Sequence, residues 1–225
     1  MATSVEVGTL RNFIDGASVD AADGGVDDVL NPATGEVIAQ APSSSDEDVD
    51  RAVKAARKAL DGWGSQTPGE RAAALLKLAD AIEARGDELA ELEALNAGKP
   101  LQAVKDDEIP AMVDNLRFFA GAARAMQGPV AGEYLEGYTS WIRREPVGVI
   151  GQIAPWNYPM MMAIWKIGPA LATGNTIVLK PAPTTPVTTL RLAEIAAEFL
   201  PRGVFNVIAG ATRPARRWSG TTTWT

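Results

Sequence analysis

Two polar side chains stand where apolar runs end. In "GVIGQIAPWNYP", Asn157 lies between Trp156 and Tyr158, bracketed by Pro155 and Pro159, directly after a strand-like run. In "TIVLKP", Lys180 closes a β-branched run and is followed by Pro181. A carboxamide just ahead of a helix can donate a hydrogen bond into a cleft, joined by the helix-start N–H groups, which is the geometry of an oxyanion hole. It can equally cap the helix. A lysine at the carboxyl end of a strand can hold ribose hydroxyls or a phosphate, or it can simply be solvated at a sheet edge. Local pattern leaves both pairs of readings open.

Other chemistries are excluded by composition. The 225 residues contain no cysteine and no histidine, so they offer no thiol nucleophile, imidazole base, disulfide or Cys/His metal site. No metal site is expected. The acidic clusters in "SSDEDVD" and "KDDEIP" read as exposed helix faces rather than a catalytic carboxylate pair. There is no G-x-G-x-x-G; the glycines of "GPALATGN" have the wrong spacing and fall in a helical pattern, so a dinucleotide would not be held by the glycine fingerprint. Trp63, Trp141 and Trp165 read as core or interface aromatics, and Met160 to Met162 as core filler. A net charge of −7 argues against a nucleic-acid partner. The longest apolar stretch, Pro159 to Ala172, is interrupted by Lys166 and holds two prolines, so no membrane span is expected. The first residues lack a basic segment followed by an apolar one, and a cytoplasmic location is expected.

The elements that would position Asn157 and Lys180 follow from periodicity. The first forty residues read as short strands punctuated by Asp15-Gly16, Asn31-Pro32 and Thr34-Gly35. A helix is predicted from a Ser45/Asp48 capping box to Gly62, a second from Pro68 to Arg85, a third from Asp87 to Ala97, and a long fourth from Ala103 to Met126, bent near Pro110. From Tyr138 the period changes to two strands. Then come an apolar helix from Pro159 to Thr173, the strand "TIVLKP", an amphipathic helix after Pro186 and the strand "GVFNVIAG". Such alternation implies an α/β fold with a parallel sheet and ligands beyond the carboxyl ends of its strands. The last fifteen residues break the pattern: "ATRPARRWSGTTTWT" has three arginines and no acid. It reads as a departure from the preceding sequence or as a disordered tail.

Taken together, "NPATGEVIA", "EPVGVIGQIAPWN", "WKIGPALATGNTIVLKPAPTTP" and "GVFNVIAG" resemble the aldehyde dehydrogenase superfamily, most of all the aminobutyraldehyde and betaine-aldehyde type. The resemblance runs to Gly210. It implies the N-terminal part of that α/β fold, a helical segment plus an incomplete parallel cofactor-binding sheet. Residues 1–137 would be the N-terminal strands and helices of the cofactor domain. Residues 138–146 would be a bridging and oligomerisation arm, 147–210 a partial Rossmann-like NAD-binding sheet, and 211–225 a tail outside the family. It further implies NAD as cofactor, with NADP as the alternative, a small aldehyde (an aminoaldehyde, on the subtype) as substrate and an acid as product, and homo-oligomers.

The resemblance also assigns roles. Asn157 matches the oxyanion-stabilising asparagine. Ile153, Ala154, Pro155 and Trp156 match the segment along the nicotinamide side of the cofactor, and Lys180 the lysine on the adenosine ribose, with Ala182 and Pro183 beside it. Gly210 matches the first glycine of the turn under the adenine and pyrophosphate, and Lys166 a lysine near the channel to a catalytic glutamate. Pro183 stands where the family often has Glu or Ser, which removes a side-chain partner for the ribose. The family's water-activating glutamate and its cysteine nucleophile lie beyond Gly210. Without cysteine the thiohemiacetal cannot form, so the chain alone is expected to be inactive. A truncated or frame-shifted sequence that binds nucleotide weakly, or associates with full-length subunits, is the alternative.

Overall fold

The computed structural model describes residues 7–126 and 131–210. The tail 211–225 and the first six residues, on which the leader reading rests in part, lie outside the described residues.

A five-stranded sheet carries the fold, in the order β2-β1-β9-β8-β7. Its parallel half is β7 (Val149–Ile153), β8 (Thr176–Lys180) and β9 (Phe205–Val207), and its antiparallel edge is the hairpin β1 (Asn12–Ile14) and β2 (Ala17–Val19). The sheet is therefore mixed rather than purely parallel. Asp15-Gly16 supplies the positive φ values of a tight turn, 52° and 72°, and folds β1 back beside β2, with β1 set against β9. Successive residues of β8 point to opposite faces, as strand geometry requires: Ile177 and Leu179 join the large core, while Val178 joins a smaller one with Val149 and Ile208.

Helices cover both faces. α1 (Asp46–Gly64) packs Val49, Ala52, Val53 and Ala56 on the smaller core. α2 (Pro68–Ala84), α3 (Gly86–Ala97), α5 (Pro159–Ala172) and α6 (Val187–Ala196) build the larger one. With them lies a long helix, α4, spanning 101–124. It runs as α over Leu101–Ala103, widens to π over Val104–Glu108 and returns to α over Ile109–Arg124. The bend expected at Pro110 is this π turn: Ile109 N–H reaches back five residues to Val104 O. Widening makes room for a proline ring that would clash with the carbonyl four residues before it. α1 runs two residues past Gly62.

Two further hairpins complete the described chain: β3 (Val26–Leu30) with β4 (Val37–Pro42), which sends Val29, Ala39 and Ala41 into the larger core, and β5 (Ala131–Leu135) with β6 (Tyr138–Trp141), which is exposed along nearly its whole length. The segment 138–146, expected as an arm, begins with the second strand of this last hairpin, which ends at Trp141. Among the described residues no helix is long and apolar enough to cross a membrane.

The capping box expected at Ser45/Asp48 is present at the start of α1, and a second one, not expected from the sequence, starts α2. Thr67 Oγ1 accepts from Glu70 N–H (3.3 Å), and the Glu70 carboxylate accepts from Thr67 N–H (2.7 Å). At α1 the acid does more than was expected of an exposed face. Asp48 is fully buried and accepts from the N–H groups of Ser45 (2.9 Å) and Ala22 (3.0 Å), which ties the helix start to the strand region before it.

Close approach of α1 to the turn before β9 requires glycine. Gly203 has φ +79°, and a Cβ there would lie 2.6 Å from Ala55 O. Gly203→Ala should destabilise the chain by about 3 kcal/mol in urea denaturation. Gly121→Ala, in the α4 interior with nothing within 4 Å of its added Cβ, should stabilise it by about 0.5–1 kcal/mol.

Candidate active site

The two polar residues singled out by the sequence lie at the carboxyl ends of neighbouring strands. Ile153, the last residue of β7, is in register with Lys180, the last of β8, and Ala154 N–H extends the pairing to Lys180 O at 2.9 Å. The strands leave the sheet side by side, so the segments 154–158 and 181–186 form adjacent loops.

Lys180 is buried, with 4% of its surface exposed, which excludes the solvated reading. Its ammonium donates to Pro181 O (2.9 Å) and Gly210 O (3.0 Å). An ammonium has three donors, so one N–H remains after these two. No ion pair with an acid forms at Lys180 among the described residues, and burial pushes the ammonium below the usual lysine range. Gly210, at φ +131°, delivers its carbonyl from a turn in which a Cβ would lie 2.8 Å from Ser44 N. Ser44 N–H in turn donates to Ala209 O at 3.2 Å, and Asn12 Oδ1 accepts from Ala209 N–H at 2.8 Å, so the exit of β9 is fixed by buried polar contacts.

The other loop is more open. Ala154 is buried, while Ile153, Trp156, Asn157 and Tyr158 are exposed. The residue at the N-cap of α5 is Tyr158, and its side chain makes no capping bond. Asn157 is one residue further out, and no hydrogen bond to its side chain is seen among the described residues. It is therefore not serving as the helix cap. Ala182 is half-buried and Pro183 exposed, both in the loop after β8. Lys166 is half-buried on α5, where its carbonyl accepts from Gln152 Nε2 (2.9 Å). Trp63 and Met160 are core residues; Trp141 and Trp165 face outward.

Sequence reasoning missed a buried polar cluster behind both loops. Glu93 on α3 is 1% exposed. It accepts from the Thr188 hydroxyl on α6 and, at 3.4 Å, from Met160 N–H on α5. Lys99 lies 3.7 Å from Glu93 and 2.8 Å from Glu108, and its ammonium sits 3.9 Å from the centre of the Tyr158 ring. Glu108, expected on an exposed face, is buried. Burial pushes the Glu93 carboxyl up, opposed by Thr188 and Lys99. The signal for this cluster was in "LEALNAGK": Glu93 and Asn96 three residues apart on an otherwise apolar helix face, followed by Lys99 just past the helix end. Among the described residues no group of acids could hold a metal ion.

Lys180 has a pH signature. Between its lowered folded value and the ordinary 10.5, the unfolded chain holds a proton that the folded chain has released. Stability therefore rises with pH through that window, and the gain is lost as pH falls through the folded value. Denaturation midpoints of wild type, measured against those of Lys180→Met, should rise as pH is raised toward 10.5; parallel curves would contradict the burial of a charged amine.

Comparison with known proteins places this geometry. The model of the aldehyde dehydrogenase family matches residues 19–217. An aminoacetaldehyde dehydrogenase of Pseudomonas aeruginosa is 45% identical over 211 residues, covering 91% of this chain and 42% of the relative. Aldehyde dehydrogenase B of Escherichia coli is 42% identical over 200 residues, covering 89% and 39%. Among solved structures, an NAD+ complex of aldehyde dehydrogenase from Bacillus cereus superposes with a TM-score of 0.89 at 44% identity, over 93% of this chain and 43% of that one. Betaine aldehyde dehydrogenase from Staphylococcus aureus, in complex with NAD+, gives 0.86 at 39% identity, over 90% and 41%. The chain spans about two fifths of the length of the relatives it matches. With the same fold, and a family match running from the end of β2 past the last described strand, the chain belongs to the aldehyde dehydrogenase family.

Proposed function

We propose that the carboxyl edge of β7, β8 and β9 binds NAD, and that the chain carries the cofactor-gripping part of an enzyme that oxidises a small aldehyde to its carboxylic acid. The observation that carries this reading is the buried Lys180 ammonium, oriented by two carbonyls with one donor to spare. A ribose hydroxyl suits that donor, because a neutral acceptor leaves the ammonium charged without adding a buried anion. In this reading Lys180 holds the adenosine ribose, with Ala182 and Pro183 beside it. The turn at Gly210 lies under the adenine and pyrophosphate. Ile153, Ala154, Pro155 and Trp156 flank the nicotinamide, the exposed Ile153 and Trp156 offering apolar surface to its ring. Pro183 offers the ribose no side-chain partner, so NADP stays as the alternative cofactor.

NAD, when bound, supplies a hydride acceptor. The chain's own contribution to the chemistry is Asn157, whose unengaged amide would donate to the carbonyl oxygen of the aldehyde as it gains negative charge. The relatives named for aminoacetaldehyde and betaine aldehyde support an aminoaldehyde as substrate. The 225 residues contain no cysteine, so they supply no thiol to attack the carbonyl. On these residues alone we expect dinucleotide binding without aldehyde oxidation, in the cytoplasm.

Isothermal titration calorimetry tests the reading. NAD should bind the purified chain, and Lys180→Ala should weaken binding about tenfold or more, as loss of a charge-assisted hydrogen bond does. No NADH should form on adding betaine aldehyde. A chain that melts cooperatively and does not bind NAD would overturn the proposal.

A specific observation supports self-association as well. The β5–β6 hairpin and the segment after it expose Tyr134, Leu135, Tyr138, Trp141, Ile142 and Val147. Apolar surface on an uncovered two-stranded ribbon invites pairing with a second subunit. Sedimentation velocity should show dimers or larger species, and Tyr138→Lys with Trp141→Lys should shift them to monomer.

A further inference from the structure

We infer that Glu93 is a positioning residue that locks the two site loops to one another, because each of its carboxylate oxygens is committed to the start of a different helix. Oε1 accepts from Met160 N–H in the first turn of α5, directly after the loop that carries Asn157. Oε2 takes the Thr188 hydroxyl in the first turn of α6, directly after the loop that follows Lys180. At α5 the carboxylate takes a first-turn N–H that has no intrahelical partner, and at α6 it takes a first-turn hydroxyl; a negative charge also suits the dipole at both helix starts. The carboxylate is thus a rigid bridge between two helix starts, and behind them between two loops.

Its neighbours each serve one side only. Asn96, one turn further along α3, donates to Thr184 O (3.0 Å) and accepts from Val187 N–H (3.3 Å), both on the Lys180 side. Lys99 lies against the Tyr158 ring on the Asn157 side, and neutralises Glu93 and Glu108 together. Two residues of α3 and one just past its end therefore divide the work: Lys99, after the Gly98 C-cap, for one loop, Asn96 for the other and Glu93 for their relative placement. The inference rests on the dinucleotide reading for its functional meaning, since a ligand spanning both loops needs them at a fixed separation. The coupling itself can be measured without ligand.

Amide hydrogen exchange of the full chain, read by mass spectrometry, separates these roles. Glu93→Leu, of similar size and without a polar group for either partner, should speed exchange about tenfold in 154–158 and 182–186 together, with β9 unchanged. Lys99→Met should affect the first segment alone and Asn96→Ala the second alone. Calorimetry then compares NAD with ADP-ribose, which lacks the nicotinamide end. Glu93→Leu should remove most of the added affinity of NAD and leave ADP-ribose binding within about twofold. Unchanged exchange in either loop would overturn the inference, as would faster exchange everywhere including β9, which marks ordinary destabilisation. A wild-type chain that binds neither ligand but shows the paired exchange pattern would overturn the dinucleotide reading and leave the coupling supported.

Discussion

An ammonium group buried without a carboxylate beside it is a costly thing to fold, and the placement of the candidate site turns on how Lys180 is accommodated. Its two partners are carbonyls, Pro181 O and Gly210 O. Carbonyl dipoles can satisfy an ammonium only if they are held at hydrogen-bond distance, so the backbone leaving β8 and the backbone leaving β9 are constrained together. That constraint propagates outward. Gly210 must be glycine where its turn approaches Ser44, and Ser44 in turn is held by Asn12 of β1. An edge hairpin contributed by the start of the chain thereby helps to fix a carbonyl at the site.

The parallel pairing of β7 with β8 does the remaining placement. Register between Ile153 and Lys180 brings the two loops out side by side. The loops differ in character because their tasks in burial differ. The segment from Pro181 to Pro186 runs back into the core at Thr185 and Pro186, while the segment from Trp156 to Tyr158 stays exposed. One loop can grip and the other can present side chains to whatever lies opposite.

The residues at the site were legible in the sequence because they interrupt strong patterns. Lys180 ends a run of β-branched residues, and Asn157 stands between prolines. The sequence could not decide between the solvated and buried lysine, or between cap and free amide, because both turn on where the chain stops being helical or sheet-like. A one-residue difference, Tyr158 rather than Asn157 at the N-cap, settles the second. The acidic clusters misled for a related reason. Asp48 and Glu108 lie in runs of charge, and local pattern assigns such runs to solvent; their burial depends on partners far away or on another element, Ala22 for Asp48 and Lys99 for Glu108. The antiparallel edge of the sheet was equally hidden, since the pairing of Phe13 with Val207 joins positions at opposite ends of the described chain.

α3 shows how binding and positioning can be divided between layers. It contributes no residue to the loops, yet its Glu93 and Asn96, with Lys99 just past its C-terminal cap, reach the backbone or ring at the end of each. The contacts to Met160 N–H, Thr184 O and Val187 N–H are to backbone groups and do not depend on the side chains at those positions, whereas those to the Thr188 hydroxyl and the Tyr158 ring do. Loop residues that make none of these contacts, such as Pro183 or Trp156, can therefore change while the frame that sets the loops apart stays in place. A site built in this way separates specificity from geometry. Its geometry is tied to a buried carboxylate whose loss no loop residue could replace, because no other described side chain touches the first turns of both α5 and α6 through its two oxygens.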